Sequence, residues 1–366
     1  MSYSLSFKSV FLQSGATIAG KKEFEGPLGE YFDYHYSDSY HKQKSFEDAE
    51  VLMLKEAIQL AINKARIDRT KIKVAIGGDL SNQLAVSSSA IEHFDLAYCG
   101  VYGACSSFIL ALIQACLICS NNHNSYTLAF TSSSYATSER QFRFPIEYGI
   151  QKKDTVTTTV TGAASAVLGK RATKIKVTRA TIGKVYDANW DNVNDVGSPM
   201  ALAAYHTIKD HLDNNNLSAS YYDLILTGDL SNIGSKILLD CFKTDGIILD
   251  NYNDAGNLIY HKGDNDIHAG GSGPACIGLV SMSYILNLME KKELKRVLLV
   301  GTGALYSPTM CFQHHTIPIV AHAIELEVNE KWHTYVLLLF LVYYVLLHKL
   351  FLIIQNWHQD TLHPSM

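Results

Sequence analysis

The strongest constraint on the fold is an internal repeat, in which one turn recurs 150 residues later. KVAIGGDLSN (Lys73–Asn82) and DLILTGDLSN (Asp223–Asn232) both place an apolar run before the turn Gly-Asp-Leu-Ser-Asn. Two further pairs come in the same order. The first is a small-residue helix entry, Gly103–Leu112 with Gly270–Val280, and the second is an apolar strand, Tyr126–Ser134 with Arg296–Ala304. Three matches in one order predict two copies of a strand–helix–strand unit. We therefore expect an α/β fold, with apolar strands in a mostly parallel sheet covered by helices.

The segments around the repeat complete two predicted halves. The first 50 residues predict a short strand near Phe7–Leu12 followed by a loop. Apolar residues then recur at steps of three and four from Ser45 onward, which predicts a helix. A second helix is predicted over Phe108–Cys119. We divide the chain into an N-terminal half, residues 1–172, a C-terminal half, residues 173–328, and an atypical tail, residues 329–366.

Composition excludes several classes of protein. The 366 residues are 47% hydrophobic and 18% charged, which argues against a disordered chain. Lysine and arginine total 31 against 35 acidic residues, a formal net charge of −4 without a basic block, so we expect no nucleic-acid partner. Seven cysteines, an odd number, fit free thiols better than a disulfide framework. No secretory signal is visible at the amino terminus.

The tail contains an apolar stretch that does not belong to the repeat. Tyr335–Ile354 spans twenty residues, long enough to cross the hydrocarbon core of a bilayer. Lys349 lies close enough to its end to extend toward the interface. The stretch is therefore interpreted either as a membrane anchor or as a buried helix or aberrant tail, and the sequence leaves both interpretations open.

The repeat units carry distinctive motifs from about Phe7 to Glu327. Those motifs include YFDYHYSD (Tyr31–Asp38), GGDLSNQ (Gly77–Gln83), GACSS (Gly103–Ser107), ERQFRFPIEYG (Glu139–Gly149), HAGGSG (His268–Gly273) and GTGALYSP (Gly301–Pro308). Together with the duplication they resemble the thiolase superfamily and, within it, the stage V sporulation AD family of spore-forming bacteria. The combination is specific, whereas each motif alone is weak.

The resemblance implies both a fold and a role. The implied fold has two thiolase-like α/β halves related by a pseudo-twofold axis, often in a homodimer. The implied role is to bind dipicolinic acid, with its calcium, and to move it through the spore inner membrane during spore loading and germination. The protein would work beside membrane-embedded subunits, either peripherally or anchored by the tail. It would bind the acid without turning it over, and no cofactor is expected.

Cys105 is the candidate nucleophile of a rival, enzymatic interpretation. It precedes the predicted helix Phe108–Cys119, where the positive end of the helix dipole favours a thiolate. The resemblance implies that the matching cysteine of thiolases and ketoacyl synthases carries an acyl group. In the ketoacyl synthases a histidine stands where this chain has Gly228-Asp229, and an asparagine stands near Gly270-Gly271. We therefore predict no catalytic residue, and expect Cys105 and Ser106 to line a binding pocket. The alternative is an acyl-transferring or condensing enzyme that uses Cys105.

Arg140 and Arg143 are candidates for binding the two carboxylates of dipicolinate. A planar guanidinium binds a carboxylate through two parallel hydrogen bonds, and the neighbouring aromatic residues Phe142 and Phe144 could flank the pyridine ring. The alternatives are that both arginines pair with acidic side chains such as Glu139 or Glu147, or that they face a partner subunit.

Four further positions complete the predicted ligand site. Asp79 and Asp229 follow the repeated strands, and ligands of open α/β sheets lie beyond such strand ends. Each aspartate could instead cap the following segment. His268 is a further candidate, with a hydrogen-bonded structural histidine as its alternative, and Gly270 offers backbone amide donors to an anion. We predict no dedicated metal site.

Overall fold

The computed structural model describes residues 2–121, 126–142, 152–261, 263–264, 266–331 and 348. The strands are β1 Tyr3–Ala19, β2 Tyr34–His35, β3 Ile72–Gly78, β4 Tyr98–Gly100, β5 Tyr126–Ser133, β6 Thr157–Thr159, β7 Gly162–Gly169, β8 Ile175–Asp187, β9 Leu224–Thr227, β10 Tyr252–Asp254, β11 Gly270–Ser272, β12 Arg296–Ala304 and β13 Pro318–Val328. The helices are α1 Lys21–Phe24, α2 Phe46–Ala65, α3 Ala85–Ile91, α4 Ser107–Asn121, α5 Tyr135–Phe142, α6 Gly197–Asn214, α7 Ser231–Thr244, α8 Ala255–Leu258, α9 Pro274–Val280, α10 Leu286–Glu290 and α11 Pro308–Phe312. A π-helical turn joins α9 to α10.

The main sheet shows the duplication directly. Its strand order is β10-β9-β12-β13-β8-β1-β7-β5-β3-β4, with β2 paired to β1. The antiparallel pair β8 and β1 lies at the centre. Outward from that pair, both halves have two antiparallel pairings followed by two parallel ones. The units β3–α4–β5 and β9–α9–β12 are therefore equivalent, which confirms the predicted duplicated α/β fold.

The prediction of a mostly parallel sheet was wrong. Among the nine neighbouring pairs in that order, four are parallel and five are antiparallel. Strand β5 follows β3 through the crossover helix α4, which makes the two strands parallel. Strand β13 follows β12 through a link that contains only α11, and a direct return of this kind makes neighbouring strands antiparallel.

The predicted helix after Ser45 is confirmed as α2. The Ser45 hydroxyl accepts a hydrogen bond from the Asp48 backbone amide at 3.1 Å, which satisfies one free donor at the helix start. Its apolar face, which includes Met53, Leu54 and Ile58, is fully buried and packs on β1 and β7. Helix α6 covers the equivalent strands β8 and β13 of the other half.

Helices α4 and α9 lie at the centre of the fold. Helix α4 packs against strands of both halves, and every residue of α9 is buried. Phe108, Ile277 and Leu299 belong to one apolar cluster that spans the two halves. Because α4 is buried on nearly all sides, its sequence is apolar all round. Ala104–Asn121 is long and apolar enough to cross a membrane by composition, but 61% of it is buried inside the fold, as expected of a core helix.

Residues Met1–Val328 form one compact unit, from which the tail, residues 329–366, is separate. The predicted boundary between residues 172 and 173 stays a prediction. The apolar stretch Tyr335–Ile354 lies outside the described residues except for His348, so the two interpretations of the tail also stay open.

Candidate functional site

Cys105 lies in a tight turn immediately before α4. Ala104 has a φ of 49°, a left-handed conformation that few residues other than glycine adopt. The Gly103 carbonyl accepts hydrogen bonds from the Ser106 amide at 3.0 Å and from the Ser106 hydroxyl at 2.6 Å. Ser106 is fully buried, so its hydroxyl holds the turn. The half-buried Cys105 thiol is thereby fixed at the amino end of α4.

Asp229, which lies in the second half of the chain, contacts Cys105. Its carboxylate is fully buried and accepts hydrogen bonds from the Cys105 thiol, the Thr302 hydroxyl and the Gly273 amide, the last at 3.4 Å. Burial raises the pKa of Asp229 to about 6, although these three hydrogen bonds oppose the rise. A thiolate next to this carboxylate would face a like charge, which opposes the favourable effect of the helix amino terminus.

The two repeated aspartates have different roles. Asp79 accepts hydrogen bonds from the Ser81 amide at 2.6 Å and from the Ser87 amide at 2.8 Å, which is the capping arrangement that was one of the two alternatives. Its carboxylate is buried in the N-terminal half, near the carboxyl group of Glu50. The aspartate of the repeated turn therefore caps backbone amides in the N-terminal half and contacts a cysteine in the C-terminal half.

A small cavity adjoins the thiol, and we call it the Cys105 cavity. Its volume is about 60 Å³, well below the roughly 300–1,000 Å³ of typical small-molecule sites. Phe142 and Tyr306 form part of its wall, with ring centroids 5.7 Å apart, and Val193 and Val196 contribute apolar surface. Among the described residues that line it, none is a histidine, an asparagine, a lysine or an arginine.

Arg140 lies on α5 and lines neither of the two cavities described here. Its guanidinium pairs with the carboxylate of Glu47 and lies 5.8 Å from the ring centroid of Phe46. Pairing with an acidic side chain was the alternative to a ligand role, although the partner was not anticipated. Arg143 lies outside the described residues.

His268 and Gly270 lie apart from the lining of the Cys105 cavity. His268 Nδ1 is 3.6 Å from Asp154 Oδ1, and the residue lines a larger cavity of about 910 Å³. Gly270 has a φ of 131° in β11, and a Cβ there would lie 2.8 Å from the carbonyl oxygen of Gly256. Gly270 is therefore required by the backbone, whatever its amide binds. Among the described residues, no group of three or more histidine, cysteine or acidic side chains could hold a metal ion.

Two buried neighbours of the repeated aspartates, Thr302 and Glu50, were not identified from the sequence. Thr302 follows the first glycine of the GTGALYSP motif, and its pairing with Asp229 depends on the neighbouring strands β9 and β12. Glu50 lies on the buried face of α2, and its carboxylate accepts hydrogen bonds from the Ser132 and Thr137 hydroxyls at 2.9 and 2.8 Å. An acidic residue at an apolar helical position was the available signal for Glu50.

Comparison with solved structures supports the fold. An OleA variant from Xanthomonas campestris superposes with a TM-score of 0.59 at 15% identity, covering 88% of this chain and 99% of that one. The 3-oxoacyl-(acyl-carrier-protein) synthase III of Aquifex aeolicus VF5 gives a TM-score of 0.55 at 13% identity, covering 87% and 99%. At these identities the similarity shows a thiolase-like fold alone.

Comparison of sequences is more specific. The chain is 41% identical over 318 residues to Stage V sporulation protein AD of Bacillus subtilis (strain 168), which covers 87% of this chain and 94% of the relative. The family model described as Stage V sporulation protein AD (SpoVAD) matches residues 2–327, nearly the whole of the compact unit Met1–Val328. The chain therefore belongs to the stage V sporulation protein AD family.

Proposed function

We propose that this chain is a non-catalytic dipicolinic acid-binding protein of the developing spore. It takes part in the uptake of dipicolinate with its calcium, and in their release at germination. It acts at the spore inner membrane beside membrane-embedded subunits of the same complex, and a homodimer is its expected assembly. Membership of the sporulation family supports the setting, and the resemblance of the motifs supports the ligand.

The contact between Cys105 and Asp229 carries the non-catalytic part of the proposal. Condensing chemistry requires a nucleophilic thiolate and donors that stabilise the developing oxyanion. Here the thiol donates a hydrogen bond to a buried carboxylate, and the described lining of the Cys105 cavity offers no imidazole or carboxamide. Loss of one oxyanion donor typically costs about two to three powers of ten in rate. The arrangement therefore favours binding over acyl transfer.

Calorimetric titration of dipicolinate, with and without calcium, tests the binding function. The wild-type protein and a Cys105→Ala variant should both bind the acid in a saturable, one-site manner. Isophthalate, which lacks the ring nitrogen, serves as the matched control ligand and should bind more weakly. Absence of saturable binding to the wild-type protein would overturn the proposed function, and covalent labelling of Cys105 by an acyl thioester would favour the enzymatic alternative.

A further inference from the structure

Lysine and arginine are concentrated at one end of the main sheet. The strand registers place the starts of β3, β5, β8 and β12 at the same end as the last residues of β7 and β13. Three segments adjoin these strand ends: residues 64–73, 170–176 and 290–296. Together they contain thirteen lysines and arginines and three acidic residues, although the whole chain has a net charge of −4. We call these three segments the basic surface.

Direct contacts join the three segments, which are far apart in the sequence. The guanidinium of Arg171 donates a hydrogen bond from Nη2 to the carbonyl oxygen of Ala65 at 2.9 Å. The ammonium of Lys174 lies 3.2 Å from Oε2 of Glu290. The first contact links residues 170–176 to residues 64–73, and the second links them to residues 290–296. The fold therefore assembles one continuous surface from segments that form no single basic block in the sequence.

Most of this charge faces the solvent. Ten of the thirteen basic residues are exposed. The ion pairs of Lys64, Lys174 and Lys176 are all partly exposed, and pairs of this kind hold their partners weakly. Five acidic residues adjoin the same strand ends, namely Asp95, Asp223, Asp250, Glu327 and Glu330. Positive charge remains in excess when these five are included.

The composition of the basic surface fits lipid headgroups better than a protein partner. Nine of its thirteen basic residues are lysines. Protein–protein interfaces are depleted in lysine and enriched in aromatic residues. None of the large hydrophobic side chains that are exposed in the described part of the chain belongs to these segments. Diffuse lysine charge without apolar anchors is suited to the negative surface potential of an anionic bilayer.

The path of the chain supports the same occupant. Strand β13 ends at Val328, opposite the start of β8 and hence at the basic end of the sheet. The apolar stretch Tyr335–Ile354 begins seven residues later in the sequence. Seven extended residues span at most about 25 Å. The membrane-anchor interpretation of the tail therefore requires this end of the fold to lie near the bilayer.

We propose that the basic surface binds the headgroups of an anionic phospholipid bilayer and so orients the compact unit on the membrane. The inference rests on the membrane setting of the proposed function. It adds which surface meets the bilayer and which lipid charge that surface requires.

The test is co-sedimentation of the full-length protein with vesicles, either of phosphatidylcholine alone or of equal parts phosphatidylcholine and phosphatidylglycerol. The readout is the ratio of the two partition coefficients, because an apolar tail contributes to both kinds of vesicle. Each lysine near an anionic surface contributes about fivefold to partitioning. Lys71→Gln, Lys174→Gln and Lys291→Gln, which change one exposed lysine in each segment, should together lower the ratio about a hundredfold.

The matched control removes three exposed lysines outside the basic surface. Lys44→Gln, Lys153→Gln and Lys184→Gln make the same change in net charge, and the combined variant should keep the wild-type ratio. Salt at about 1 M, where the Debye length is about 3 Å, should abolish the preference of the wild-type protein for phosphatidylglycerol.

Three results would overturn the inference. One is equal partitioning of the wild-type protein onto both kinds of vesicle, and another is the same loss of preference in both triple variants. The third is binding of a short DNA duplex without any preference between the vesicles, which would identify the surface as a nucleic-acid site. Dipicolinate is absent from this assay, so failure here leaves the binding function to its own titration, and failure of that titration leaves the vesicle result unchanged.

Discussion

Removal of the buried charge at Asp229 should change how the stability of the protein depends on pH. Burial raises the pKa of Asp229 from 3.8 to about 6. Between about pH 4 and 6 the unfolded chain has released this proton while the folded chain still holds it. Stability therefore falls as pH rises through that window and is level above it. Two pKa units at about 1.4 kcal/mol each correspond to about 3 kcal/mol.

The assay is urea denaturation of the wild-type protein and Asp229→Asn between pH 4 and 8. The free energy of unfolding of the variant, relative to wild type, should rise by about 3 kcal/mol from pH 4 to pH 7. Any packing cost of the amide is independent of pH and does not affect this trend. Asp240→Asn, an exposed change on α7, is the control and should give a level difference. Parallel curves for Asp229→Asn and wild type would refute a buried, proton-retaining carboxyl beside Cys105.

Three further predictions concern the Cys105 thiol, the buried carboxyl group of Glu50 and the turn before α4. Asp229→Asn should speed alkylation of Cys105 by iodoacetamide about ten- to a hundredfold, because a like charge next to the thiolate is removed. An unchanged rate would contradict the contact between Asp229 and Cys105. Burial and the neighbouring Asp79 raise the pKa of Glu50, so wild type loses stability as pH rises from 5 to 9. The free energy of unfolding of Glu50→Gln, measured by urea denaturation, should therefore rise relative to wild type over that range; a constant difference between the two proteins would count against this. A Cβ at Gly303 would lie 2.2 Å from the Gly103 carbonyl oxygen, so Gly303→Ala should lower the free energy of unfolding by about 1–3 kcal/mol. An unchanged melting temperature would show that the turn before α4 can shift to accept a methyl group.

The repeat units could be predicted because their signals are local. The strands around the repeated turn and the helix entry near Cys105 have apolar patterns that a short window contains. Strand β1 was predicted only as Phe7–Leu12, whereas the structure extends it over Tyr3–Ala19. Its second part contains the polar residues Ser14 and Thr17, and Gly15, whose intrinsic strand propensity is low. These residues are held in the strand by pairing with β7, a long-range condition that local pattern does not reveal.

The site was harder to predict because its contacts join distant segments. Asp229 reaches Cys105 across the interface of the two halves, and the identical turn at Asp79 caps backbone instead. Glu47 precedes Arg140 by 93 residues, so the composition of the arginine segment could not show which acid pairs with it.

The central claim, that the thiol beside Asp229 does not perform acyl transfer, is tested most directly by the mass of the intact protein. Wild type and Cys105→Ala are incubated at pH 7 with a series of acyl-CoA thioesters and measured by mass spectrometry. We predict that neither protein gains an acyl group, while both still bind dipicolinate. An acyl adduct on the wild-type protein that is absent from Cys105→Ala would contradict the account.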